Sequence, residues 1–225
     1  MQRHRHLQIP DSLSDACDPD RMALLVYDMQ VGVVGQIADG PQVTRRVVEV
    51  LDAAREAGVR IFFTRHMSLP TQLMGVFQLR SAMAWQRKDR VEDVISPLLR
   101  DSPGFEIVPE MAPRESEAIF DKLSMSAFEG TPLGFSLRDL QITAFAIVGV
   151  AMEVGIEPTV RHGADRGLIP IVVQDACGVG NATAARRSLE ALATAGDAIL
   201  TDVATIAERL SAASAPHNSG ALTGA

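Results

Sequence analysis

Cysteine is scarce: the chain has two, Cys17 and Cys177, too few and too far apart for a disulfide framework, which fits a reducing compartment. Histidine is scarce as well. With five in 225 residues, none in a His/Cys/Asp cluster of ligand spacing and His66 standing alone, neither a metal nor a cofactor is expected. Long apolar runs are missing. The longest uncharged one, 140–152, is far short of the roughly 20 residues that cross a bilayer. The opening MQRHRHLQIPDSLSD has basic residues with no apolar run behind them, so no secretory signal is read and a cytoplasmic location is expected. Positive charge is in deficit, since 21 Lys and Arg against 28 Asp and Glu give a net charge of -7. That balance argues against a surface built for nucleic acid or for anionic lipid.

What is present can build a core: 47% of the residues are hydrophobic and 22% charged. One α/β domain is expected over 21–210, with an N-terminal arm over 1–20 and a flexible tail over 211–225 that has almost no large apolar residue. Apolar β-type runs alternate with segments of helical period, the signature of βαβ units. Six strands are expected, at Ala23–Asp28, Val59–Arg65, Glu117–Asp121, Ala144–Val150, Ile169–Gln174 and Ala198–Leu200. Four of them are near-continuous Val/Ile/Leu/Phe runs, as strands buried on both faces should be. The expected fold is a three-layer α/β sandwich, a Rossmann-like parallel sheet of about six strands with helices on both faces. Val43, Val47, Val50, Leu51 and Ala54 recur at helical spacing in 42–57, and Gly58 supplies the stop. The long connection after the second strand carries Met67, Met74, Phe77 and Trp85. It reads equally as a cap over a pocket, an oligomer contact or ordinary helices on the sheet.

Ligands bind at the carboxyl ends of strands in an open parallel sheet. Asp28 ends the first strand, where partial desolvation suits a carboxylate to proton transfer; capping the next segment is the plainer role. Lys122 arrives at the same edge from the third strand, and Asp121 should point to the opposite face. A lysine there can hold a carboxylate ionised, though a surface role is the commoner one. Ser126 and Thr131 follow as possible polar pocket groups, with Gly130 as a turn residue. After the fourth strand, Gly155 lies at a helix N-terminus, where free N–H groups favour an anion or a developing oxyanion. Glu153, Arg161 and His162 lie close by, the last two more in keeping with a solvated helix face. Cys177 reads as a structural thiol unless a base reaches it.

Taken together, LLVYDMQ, FFTRH, KLSMSAFEGTPL, IVGVAMEVGIEPTVRHGADRG and VVQDACG resemble, in order and spacing, the isochorismatase-like hydrolases, which include nicotinamidases and N-carbamoylsarcosine amidase. The resemblance spans Arg21 to Leu210. It implies an aspartate, lysine and cysteine triad, whose first two members fall on Asp28 and Lys122 and whose third falls on Gly155. Where the amidases read approximately GVATEVCVE, this chain reads GVAMEVGIE, so the nucleophile is absent. Isochorismatases proper resemble this chain in having glycine there. They tend, however, to carry Tyr and His where it has Ala151 and Glu153, and an aromatic where it has Leu123.

The resemblance also implies a non-proline cis peptide at Val150–Ala151, backbone groups of Ala151 and Gly155 facing the pocket, and a homodimer or homotetramer. The expected function is a hydrolase of a small polar organic molecule, cleaving a C–N or vinyl-ether bond with water directed by Asp28. Catalysis is assigned to Asp28 and Lys122, and substrate binding to His66, Met74, Phe77, Trp85, Ser126 and Glu153. With the thiol gone, water is expected in the space beside Asp28 and Gly155. The alternatives are an isochorismatase-type vinyl ether hydrolase, a ligand-binding pseudoenzyme that kept the pocket, and a scaffold module.

Overall fold

The computed structural model describes residues 1–214. The first of them pair as a small antiparallel hairpin, β1 (Gln2–His4) with β2 (Leu7–Ile9), followed by the single turn α1 (Leu13–Ala16), which Ser12 caps through its side chain. The hairpin is not expected from the sequence, because its three-residue strands are wholly exposed and too short for any period to register.

Next come β3 (Met22–Tyr27), α2 (Val31–Val34), α3 (Gly40–Glu56), β4 (Arg60–His66), α4 (Val76–Gln86), β5 (Ala118–Lys122) and α5 (Leu133–Asp139). The chain continues through β6 (Ala144–Val150), α6 (Glu157–Asp165), β7 (Ile169–Gly178), α7 (Ala182–Ala195), β8 (Ile199–Thr201) and α8 (Val203–Ser214). The six strands from β3 onward form one parallel sheet in the order β5-β4-β3-β6-β7-β8. They match the expected six within one or two residues, except that β7 runs four residues further, to Gly178. α3 begins at Gly40, with Pro41 tolerated in its first turn, and Gly58 turns the chain at φ +73. α8 continues through Ser214, beyond the expected start of the tail at 211; residues 215–225 lie outside the described residues.

Every residue of β3 and of β6 is buried, because helices cover both faces of the sheet. One core layer packs Leu24, Val26, Phe63 and Val148 against α3 and α8. The other packs Leu25, Phe62, Phe145 and Ile147 against α5, α6 and α7. Among the described residues no helix is long and apolar enough to cross a membrane.

The chain leaves β3 toward β4 and β5 on one side, and returns to β6 on the other. The strand order therefore reverses between β3 and β6. At such a reversal the loops leaving the two strands diverge and open a crevice at their carboxyl ends. Asp28 directly follows β3 and Ala151 directly follows β6, so both stand at that crevice. The Val150–Ala151 peptide is cis.

Within the connection between β4 and β5, Val108 and Met111 join the core, whereas α4 does not pack down on the sheet. α4 buries none of its residues, and Val76 and Phe77 are 86% and 73% exposed. It stands over the crevice instead, as a cap.

Candidate active site

A cavity of about 460 Å³ occupies the crevice, within the range of small-molecule sites. Its floor includes Tyr27, Asp28, Ala151 and Gly155, and its walls include His66, Met74, Phe77 and Trp85. Asp28 has a left-handed backbone (φ +47), a conformation that non-glycine residues adopt sparingly and that turns the chain as it leaves β3.

The Asp28 carboxylate is buried and held on both oxygens. Oδ2 accepts from Lys122 Nζ at 2.7 Å, and Oδ1 accepts from the Thr64 hydroxyl at 2.7 Å. Lys122, also buried, donates in addition to the Tyr27 hydroxyl at 2.8 Å and to the Ser124 carbonyl at 3.2 Å. An ammonium has three protons, and all three are thereby engaged. Burial pushes the Lys122 pKa below its ordinary 10.5, while Asp28 pulls the other way. Strand alternation places Asp121 on the other face, where it pairs with Arg65 at 2.8 Å and Arg100 at 3.0 Å.

Tyr27, which the sequence did not single out, completes the cluster. Its hydroxyl accepts from Lys122 and donates to the Met125 carbonyl, and burial drives its pKa well above 10, so it is a neutral phenol. The expected open space at Gly155 is filled by this phenol, for a β-carbon there would overlap the hydroxyl oxygen and the ring edge. The one signal available in the sequence was that the chain's single tyrosine directly precedes Asp28.

The turn after β6 is one turn of π-helix, Met152–Ile156, a form frequent at functional sites. The N–H groups of Val154, Gly155 and Ile156 all point at the Ala151 carbonyl, at 3.3, 3.1 and 3.1 Å. Gly155 thus lines the cavity, yet its N–H is committed within the turn and does not face an oxyanion. Thr159 locks the turn to the loop after β5, donating to the Gly155 carbonyl at 2.7 Å and accepting from Ala127 N at 3.0 Å.

Two residues expected to bind substrate are placed otherwise. Ser126 bonds the His162 ring at 2.9 Å and is not part of the cavity lining, because its loop folds back onto α6. Glu153 also stays out of the lining. Its Oε1 accepts from Gly180 N at 3.0 Å and Asn181 N at 2.6 Å, ordering the chain just before α7. Thr131 donates to the Ala127 carbonyl and serves its own loop, while Arg161 pairs with Glu157 at 3.0 Å and Asp197 at 2.6 Å.

His66 lies at the wall with its ring centroid 6.5 Å from that of Trp85. Burial, with Lys122 adding to it, pushes its pKa down to about 4. No thiol reaches the cavity. Cys177 is buried on β7, its thiol directed at the Ile147 carbonyl at 3.8 Å and its pKa pushed far up by burial. Among the described residues no group of three or more His, Cys, Asp or Glu is placed to hold a metal ion.

The isochorismatase domain family matches residues 22–205. Ureidoacrylate amidohydrolase RutB of Serratia proteamaculans is 26% identical over 183 residues, covering 74% of this chain and 73% of that protein. A crystal structure of a cysteine hydrolase from Pseudomonas syringae pv. phaseolicola superposes with a TM-score of 0.73 at 26% identity, covering 87% of this chain and 94% of that one. An isochorismatase family protein from Desulfovibrio vulgaris shares the fold with a TM-score of 0.69 at 19% identity, covering 85% and 98%. By this family match, together with the sheet order and the pocket at its reversal, the chain belongs to the isochorismatase family of small-molecule hydrolases.

Proposed function

We propose that this protein hydrolyses a small organic molecule with water activated at Asp28, without a thiol intermediate, at a C–N bond of an amide or carbamoyl type or at a vinyl ether. The observation that carries this reading is the clustering of Asp28, Lys122 and Tyr27 under Gly155, with no cysteine in the cavity. Lys122 has no proton to spare for a substrate; its work is to hold Asp28 as a carboxylate. Asp28 accepts one bond on each oxygen and so keeps lone pairs toward the cavity. It is the group placed to take a proton from water and return it to the departing nitrogen or oxygen.

In an amide or carbamoyl substrate, water adds to the carbonyl carbon as Asp28 takes its proton. The C–N bond then breaks and the proton goes to the amine. The ureidoacrylate amidohydrolase relative supports this bond type. Glycine at 155, which the resemblance shares with isochorismatases proper, supports the vinyl ether, in which Asp28 would relay a proton from the water to the vinyl carbon as the water oxygen adds to the ether carbon, giving a hemiketal that breaks down to a carbonyl compound and an alcohol. The apolar walls at Met74, Phe77 and Trp85 fit the carbon skeleton, and the polar floor fits the bond to be cleaved.

The test is turnover by the purified protein on a panel of small amides, ureido compounds, carbamates and enol ethers, compared with Asp28→Asn. Hydrolysis lost in that variant supports the reading. Turnover that survives it, or specific binding of panel compounds with no turnover at all, overturns it in favour of another site or of a binding protein.

A further inference from the structure

A second cavity, of about 480 Å³, opens at the opposite end of the sheet. It is formed where the chain enters β3, β6 and β7, beside Arg21, Thr143 and Leu168, and is completed by the end of α5 at Arg138. The seven residues of β6 put this entrance about 20 Å from the Asp28 end, at roughly 3.3 Å per residue. It is therefore a separate site.

Three arginines, Arg21, Arg138 and Arg166, line it, in a chain whose net charge is -7. Among the described residues the arginine ion pairs belong to other arginines, and the guanidinium groups of these three have no hydrogen-bond acceptor. Arg166 is nonetheless held in place. Its guanidinium lies against Gly134 of α5, where a β-carbon would come within 2.8 Å of Cζ, and it sits 5.6 Å from the centroid of the Phe128 ring. Stacking occupies the faces of a guanidinium and leaves its N–H edge available. Lining one cavity with no protein acceptor, the three arginines bring it positive charge that an oxyanion would balance while taking paired N–H bonds. Leu137 and Ile142 add an apolar wall beside the arginines, which suits an organic group attached to the anion.

We propose that this cavity binds the phosphoryl group of a small organic phosphate, with Arg166 as the preset fork and Arg21 and Arg138 closing on the remaining oxygens. The experiment is isothermal titration of the full chain with inorganic phosphate, glycerol 3-phosphate and adenosine 5′-monophosphate at constant ionic strength. It is repeated for Arg166→Lys, Arg138→Gln and Arg21→Gln. The expected result is saturable binding of at least one organic phosphate at one per chain, weakened about tenfold by Arg166→Lys, which keeps the charge and loses the fork, and comparably by Arg138→Gln. Asp28→Asn should bind as the parent does. All three arginines are exposed, so circular dichroism should show every variant folded. Absence of saturable binding, binding unchanged across the arginine variants, or binding of inorganic phosphate with exclusion of both esters overturns the proposal.

Discussion

The phenol of Tyr27 and the backbone of Gly155 are so closely fitted that a side chain at 155 has no room while the ring is in place, because a β-carbon there would overlap the hydroxyl oxygen and the adjoining ring carbons. At position 155 the turn after β6 carries no side chain, and the ring of Tyr27 at the end of β3 fills the space where one would stand. A thiol introduced at 155 would meet the ring of Tyr27.

This fit predicts coupled stabilities. Gly155→Ala should cost about 2 kcal/mol by overpacking, and Tyr27→Val alone should cost stability through a lost ring and an unpaired Met125 carbonyl. The double variant should be more stable than the sum of the two losses by about 1 to 2 kcal/mol. A urea-denaturation cycle of the four proteins measures that coupling, and simple additivity would mean that ring and glycine do not contend for space.

Breaking the buried pair from one side should be worse than removing it. Lys122→Met leaves the Asp28 carboxylate buried with no countercharge and should cost about 3 to 5 kcal/mol, whereas adding Asp28→Asn should restore much of that loss. Both variants should lack turnover. Denaturant midpoints together with panel hydrolysis check the two halves separately.

Thiol reagents should leave the protein unaffected. Burial pushes the Cys17 thiol up to about 11 and Cys177 higher still, so neither is appreciably a thiolate near neutral pH. Intact-mass analysis after iodoacetamide under native conditions should show no adduct, with hydrolysis retained. Inhibition that tracks labelling of Cys177 would overturn the thiol-free mechanism.

His66 should impose an acid limit on stability. Its folded pKa, about 4, lies below the ordinary 6.5, so between these values the unfolded chain binds a proton that the folded chain refuses. Stability from this group is complete above the unfolded value and declines as pH falls from about 6.5 to 4, by at most about 3 kcal/mol. His66→Gln should flatten the unfolding free energy across that window, and an unchanged slope would show that His66 titrates normally in the fold.

The sequence by itself determined the layered frame. Buried parallel strands such as Ala144–Val150 must be apolar on both faces, and that requirement is written as unbroken runs readable without knowing any neighbour. It also brought Asp28 and Lys122 to one edge, since both end strands of a parallel sheet, and it showed that position 155 holds no nucleophile. The roles of Ser126 and Glu153 were not legible, because a hydroxyl or a carboxylate near a pocket in the chain can as readily serve its own loop. Whether α4 packs on the sheet or stands over the crevice was equally hidden, since its apolar residues are compatible with either. What fills the space at Gly155 was decided only by the tertiary structure. Tyr27 ends β3 and Gly155 lies in the turn after the adjacent β6, 128 positions apart in the chain, and no local period links the volume of one to the missing β-carbon of the other. Close packing is a relation between surfaces brought together by folding, and it leaves its trace in pairs of residues that a reading along the chain meets one at a time.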